Sequence, residues 1–129
     1  MSTVRTCDAV IIGGGPAGST AAAVLAGKGR DVVVLEKEKF PRYHIGESLL
    51  PYGYFVLDKI GMLSKMKSSP FVKKYSVQFV SMDGKASIPF YFHTHLNHEA
   101  GQTWQVERAE FDQMMLENAR ERGAEVHEE

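Results

Sequence analysis

Gly13, Gly15 and Gly18 follow the apolar run Asp8-Ala9-Val10-Ile11-Ile12 and lead through Pro16 into an alanine-rich stretch ending at Leu25; no other feature restricts this chain as much. The run before the glycines is rich in β-branched residues, which suits a strand buried on both faces. Pro16 fits the first helical position, where its missing N–H costs nothing, and the alanines after it favour helix. Gly27 and Gly29 can stop that helix, and Val32-Val33-Val34-Leu35 then reads as a second apolar strand closed by Glu36. Together these make a βαβ unit with a right-handed crossover expected.

The three glycines fit G-x-G-x-x-G, and each has its own mechanical reason. The first permits a tight turn, the second lets backbone approach a pyrophosphate, and the third lets helix and strand pack closely. A pyrophosphate then rests on free N–H groups at the positive end of the helix. Glu36 lies near the offset of about 20 residues at which a carboxylate accepts from ribose hydroxyls. An acid there disfavours a 2′-phosphate, which points to FAD or NAD rather than NADP.

At 129 residues, with 43% hydrophobic and 24% charged, the chain can build one domain with a real core but not two. A formal net charge of −1, from 15 basic and 16 acidic residues, gives no field to gather nucleic acid or anionic lipid. The single cysteine, Cys7, excludes an internal disulfide and reads as a small packed or edge side chain. Residues 1–6 run directly into the first strand without an apolar signal core, and no apolar run reaches membrane-spanning length. Cytoplasm is the default expectation.

Beyond the first unit, 37–47 is a polar loop leaving the strand end where open α/β sheets bind ligands; Arg42 in it can lie near phosphate and Gly46 near a ring. Ser48 can cap a helix over Leu49 to Ile60, with Leu50, Tyr54, Leu57 and Ile60 as a core stripe and Gly61 as its stop. From Lys74 the period changes: Tyr75, Val77 and Phe79 alternate with Ser76 and Gln78 as in a half-buried strand. Asp83-Gly84 marks a turn, and Ser87 to Phe92 reads as a return strand that Pro89 demotes to an edge or bulge. His93, His95 and His98 read as a solvated loop, with too few further ligands nearby for a metal site. Trp104 to Arg108 leads into a helix to about Arg122, with Phe111, Met114, Met115 and Ala119 on one face and Gly123 at its end. Arg108 in the first turn opposes the helix dipole, which hints at phosphate or at pairing with Glu107 or Asp112. Ala124 to His127 reads as the next parallel strand.

Three separated stretches resemble the N-terminal part of flavin-dependent halogenases, within a class of FAD monooxygenases that includes geranylgeranyl reductases. Asp8 to Gly18 with Glu36 resembles the FAD fingerprint of the class. Phe40-Pro41-Arg42 with His44 to Pro51 is similar to the Gly-Glu-Ser segment of halogenases and their close reductase-like relatives. Val106 to Asp112 resembles the segment in which an arginine approaches FAD, followed by a helix whose aspartate is typical of the class. The resemblance implies FAD held by Gly13, Gly15, Pro16, Ala17, Gly18, Glu36, Lys37, Arg42, Gly46, Glu47, Ser48 and Arg108, and no metal. It also implies a lysine that takes up hypohalous acid and passes halogen to an electron-rich ring. Phe71 to Val77 looks like that segment, and Lys74 aligns better than Lys73, although family members often have glycine where this chain has Ser76. Reduced flavin with oxygen either hydroxylates substrate or oxidises halide, while the protein supplies position and excludes water.

The fold class expected is α/β: a Rossmann-like FAD-binding βαβ unit with a parallel sheet, plus an inserted antiparallel β-hairpin that begins a substrate domain. Residues 1–70 and 104–129 form the dinucleotide-binding part and 71–103 the hairpin and loop of the substrate-side sheet, an incomplete FAD-binding domain. The family's Trp-x-Trp-x-Ile-Pro marker cannot lie in a chain whose one tryptophan is Trp104. The expectation is therefore the N-terminal portion of a halogenase, served by a separate flavin reductase and acting on a small molecule. A monooxygenase or reductase of the same class, and a non-catalytic FAD- or ADP-binding fragment, are the alternatives.

Overall fold

β1 (Ala9–Ile12), α1 (Pro16–Ala26) and β2 (Val32–Glu36) form the expected unit, with the strands parallel and Ala9 beside Val32. The computed structural model describes residues 4–129; residues 1–3, the start of the segment read as running into the first strand, lie outside the described residues. Pro16 opens α1, and Gly27 caps it. The chain continues through α2 (Gly53–Lys59), α3 (Leu63–Ser68), β3 (Val72–Lys74), β4 (Ser76–Val77), β5 (Phe90–Tyr91), β6 (Thr103–Gln105), α4 (Arg108–Glu121) and β7 (Glu125–Glu128). Short 3-10 turns occupy Phe92–Thr94 and Glu99–Gly101.

β7 lies parallel to β2, giving a sheet of order β1-β2-β7. The core lies on one side of this sheet, where Ala22, Ala23 and Ala26 of α1 meet Met115, Leu116 and Ala119 of α4 over Val32 and Val34. The small side chains of α1 let the two helices approach closely. Burying a side chain such as Leu116 or Val34 contributes about 1.5–3 kcal/mol.

Several expectations are corrected. β1 is covered on one face only, where Ala9 and Ile11 are half-buried: Val10 is 56% and Ile12 88% exposed, because α1 and α4 cover a single side of the sheet and β1 is an edge strand. The helix read over Leu49 to Ile60 is shorter, starting at Gly53, and Ser48 does not cap it. Instead Ser48 and Leu49 run extended beside β6, with Leu49 N–H donating to the Trp104 carbonyl (3.0 Å) and Val106 N–H to that of Glu47 (2.8 Å). Residues before a proline avoid helix, so Leu50 stays out of it and is exposed rather than core. The second short helix, α3, has no counterpart in the sequence reading.

The hairpin exists, with β4 and β5 antiparallel and Gly84 at its tip, but its ladder is short. Its apolar residues Tyr75 and Phe79 are exposed rather than half-buried, since no layer packs against them among the described residues. Trp104, read as a lead-in to the helix, is the middle of β6, which pairs antiparallel with β3 and places Lys74 beside Thr103.

Candidate functional site

At the C-terminal ends of β1, β2 and β7 lies an open cleft of about 450 Å³ lined by Ile12, Gly13, Leu35, Glu36, Lys37 and His127 together with Glu129. Gly13 takes a positive φ of +101°, which turns the chain off β1 into α1. A Cβ at Gly18 would stand 1.9 Å from the Gly13 carbonyl oxygen and 3.2 Å from Ile11 Cγ2, so only glycine permits this packing. No side chain caps α1, and its first turn contains no acid. Its first N–H groups, around Gly15, Ala17 and Gly18, therefore remain available to an anion.

Glu36, 7% exposed, ends β2 beside this turn. Its Oε2 accepts from Gly14 N–H at 2.6 Å and its Oε1 from Glu38 N–H at 2.9 Å. The carboxylate thus holds the glycine turn in shape while keeping acceptor capacity for a hydroxyl in the cleft.

Arg42 approaches the same turn from the loop after β2. Its Nη2 comes within 3.6 Å of the position a Gly15 Cβ would take, and its guanidinium lies over the Phe40 ring at 4.4 Å. Its Nη1 donates to Asp112 Oδ2 at 2.6 Å. Arg108, first residue of α4, donates to the same carboxylate through Nε (2.7 Å) and Nη2 (3.0 Å). Asp112 is fully buried, and its hydrogen bonds hold the Arg108 guanidinium further up in pKa than usual. The carboxylate that offsets the cation in the first helical turn is therefore Asp112. Arg108 Nη1 reaches across to the carbonyls of Ile45 (2.6 Å) and Gly46 (3.3 Å).

The Gly46-Glu47-Ser48 segment is held from the other side by β6. Lys74 projects to it, Nζ donating to the Ser48 hydroxyl and to the Leu49 carbonyl (3.3 Å) and lying 5.5 Å from the centre of the Phe92 ring. Burial pushes the Lys74 amine down from the ordinary lysine value. Strand alternation sends the neighbouring Lys73 to the opposite face, where it lines a separate cleft with Tyr54 and Trp104.

The structure therefore brings together Gly13, Gly15, Pro16, Ala17, Gly18, Glu36, Lys37 and Arg42 at the strand ends, and Gly46, Glu47, Ser48, Lys74 and Arg108 around β6. Asp112, absent from the sequence-derived site residues, connects the groups. Its signal was available: it stands four residues after Arg108, next to the buried Phe111. His93, His95 and His98 remain exposed and lean on aromatic rings, His95 stacking on Phe90 at 4.2 Å. Among the described residues no group of three or more His, Cys, Asp or Glu is placed to hold a metal ion, and no helix is long and apolar enough to cross a membrane.

Residues 6–129 match the FAD binding domain family. Flavin-dependent halogenase rdc2 of Metacordyceps chlamydosporia is 39% identical over 126 residues, covering 98% of this chain and 23% of that protein. Sulochrin halogenase gedL of Aspergillus terreus is 42% identical over 126 residues, with 98% and 23% covered. Among solved structures, the myxobacterial chondrochloren halogenase CndH, a variant of FAD-dependent halogenases, superposes with a TM-score of 0.89 at 38% identity, over 97% of this chain and 29% of that one. The chain spans about a quarter of the length of these relatives.

Proposed function

We propose, from the premise that this chain belongs to the FAD-binding domain family, that it is the cofactor-binding part of a flavin-dependent halogenase acting on an electron-rich small molecule. The residues fit the cofactor: α1 offers uncapped N–H groups with no acid beside them, Arg42 stands over that helix end, and Glu36 keeps lone pairs for a ribose. In this reading Gly13, Gly15, Pro16, Ala17, Gly18 and Arg42 hold the pyrophosphate. Glu36 and Lys37 hold the adenosine ribose, and Gly46, Glu47 and Ser48 border the isoalloxazine, braced by Arg108. Residues 1–70 and 104–129 serve the dinucleotide, while 71–103 bring Lys74 and the substrate-side surface. When bound, reduced FAD with oxygen supplies the two-electron oxidation of halide. A separate flavin reductase, in the same cytoplasmic compartment, delivers the reduced cofactor.

The observation that carries halogenation over hydroxylation is Lys74, whose partly buried amine meets Ser48 of the cofactor segment and has its pKa lowered by desolvation. A lowered pKa leaves more free amine near neutral pH. The free amine attacks the halogen of hypohalous acid: an N–X bond forms as the X–O bond breaks, and the amine's proton leaves with hydroxide as water. The substrate ring then takes the halogen and its displaced proton returns to the amine.

The test supplies the protein with FAD, a flavin reductase, NADH, oxygen, bromide and a phenolic probe, and follows product by mass spectrometry. Bromide-dependent halogenated product is expected from the unsubstituted protein and from Lys73→Ala, with loss in Lys74→Ala at unchanged FAD affinity. Hydroxylated product formed without halide, or full halogenation by Lys74→Ala, rules the reading out.

A further inference from the structure

We infer that Asp112 is a positioning residue for the cofactor site, the buried carboxylate that joins Arg42 beside the glycine turn to the 45–48 loop through Arg108. The inference rests on the reading above of which groups face the phosphates and which the flavin. Arg108 has every nitrogen committed within the chain: Nε and Nη2 to Asp112, Nη1 to the Ile45 and Gly46 carbonyls. It acts as a strut rather than as a free phosphate ligand. Arg42 gives one nitrogen to Asp112, and its Nε lies 3.5 Å from the half-exposed Glu38; its Nη2 stays turned toward Gly15.

β6 holds the loop on the far end of the strut only from Glu47 onward, and ahead of that point the strut's bonds to the Ile45 and Gly46 carbonyls are its tie to α4. Residues 37–47 contain no helix or strand, and Tyr43 and Ile45 are 81% and 71% exposed. Stability alone is a poor reason for the carboxylate at 112. Its helix neighbours Phe111, Met115 and Leu116 are buried and apolar, and a buried ion pair is often no more stabilising than a hydrophobic replacement. What the pair supplies is direction. The Asp112 oxygens orient two guanidinium groups that diverge to the two ends of the site, so the arginine beside the glycine turn and the loop preceding Ser48 and Lys74 share one anchor.

The experiment is amide hydrogen exchange by mass spectrometry on the 129-residue chain without cofactor, comparing the unsubstituted protein with Asp112→Asn and Arg108→Lys. Exchange is expected to quicken about tenfold or more at Leu49 and Val106, whose N–H groups tie the 47–49 segment to β6, for Asp112→Asn while α1 and β7 keep their protection. Arg108→Lys, which keeps the charge and loses the fork, is expected to quicken the same two amides and to decide the matter if Asp112→Asn does not fold. FAD titrations at two salt concentrations follow, with affinity expected to drop about tenfold in Asp112→Asn, as when orienting contacts around a bound group are lost. Unchanged exchange at Leu49 and Val106, or uniform acceleration along the whole chain, overturns the positioning role. A protein that shows the local effect but binds no FAD refutes the cofactor reading and leaves the strut standing.

Discussion

Gly18→Ala gives a stringent check on the packing of the βαβ unit. The added methyl would lie 1.9 Å from the Gly13 carbonyl oxygen and 3.1 Å from its carbon, both backbone atoms, with Ile11 Cγ2 at 3.2 Å. An ordinary carbon–oxygen contact is more than 1 Å longer, so α1 must move away from β1 or the Gly13 turn must deform. Overpacking of this kind costs about 3 kcal/mol at the upper end of its usual range. Alanine's helix propensity returns about 1 kcal/mol. The net loss of about 2 kcal/mol corresponds to a fall in Tm of roughly 8 °C for a chain of this size. Gly53→Ala is the control: it opens α2, and nothing lies within 4 Å of the added Cβ. It is expected to be neutral or to stabilise by up to about 1 kcal/mol. Thermal and urea unfolding followed by circular dichroism read both. A Gly18→Ala protein as stable as the unsubstituted chain refutes the close packing of α1 on β1.

Asn118, 3% exposed, donates through Nδ2 to the Ile60 carbonyl at 2.9 Å, so Asn118→Ala strands a buried acceptor and is expected to cost about 1–3 kcal/mol in urea unfolding. A loss below about 0.5 kcal/mol, the range of an ordinary surface change, counts against that bond. Lys74 carries a pH signature: burial holds its folded pKa below the ordinary 10.5, so the unfolded chain binds more protons between those two values. Stability is expected to rise with pH through that window and to be reduced below it. Denaturant midpoints for Lys74→Met, compared with the unsubstituted chain across alkaline pH, are expected to lack this contribution; identical pH profiles contradict it.

How much was legible follows from how local each signal is. The glycine turn, Pro16 at the helix start, the β-branched strands and Gly123 after α4 are written in contiguous residues whose backbone needs are specific. These signals place the strands and the helices between them, whereas the pairing of β7 with β2 rather than β1 is not written in them. β6 was not legible. Three residues make it a strand only because Val72–Lys74 pairs on one edge and Glu47–Leu49 on the other, and neither partner is near it in sequence. The same pairing consumes Ser48 and Leu49, which is why the periodicity from Leu49 to Ile60 overstated the helix. Asp112 was half legible: its spacing from Arg108 is a helical ion pair, but its third hydrogen bond comes from Arg42, 70 residues earlier. Bare apolar surface at Val10, Ile12 and Phe79 obeys no local rule, since alternation says which side chains share a face and not whether anything covers it.

Gly15→Ala tests the cofactor site most directly, because fold and binding separate there. Gly15 has φ −64° and ψ −177°, which alanine adopts freely, and an added Cβ meets only Arg42 Nη2, at 3.6 Å. The substitution is expected to leave Tm unchanged while placing a methyl where backbone must approach the pyrophosphate. FAD is titrated into the unsubstituted chain and into Gly15→Ala, with binding read by flavin fluorescence and folding by circular dichroism. One FAD per unsubstituted chain is expected, with an affinity at least about tenfold weaker in an equally stable Gly15→Ala. Equal affinity in the two proteins, or a folded chain that takes up no FAD, contradicts it.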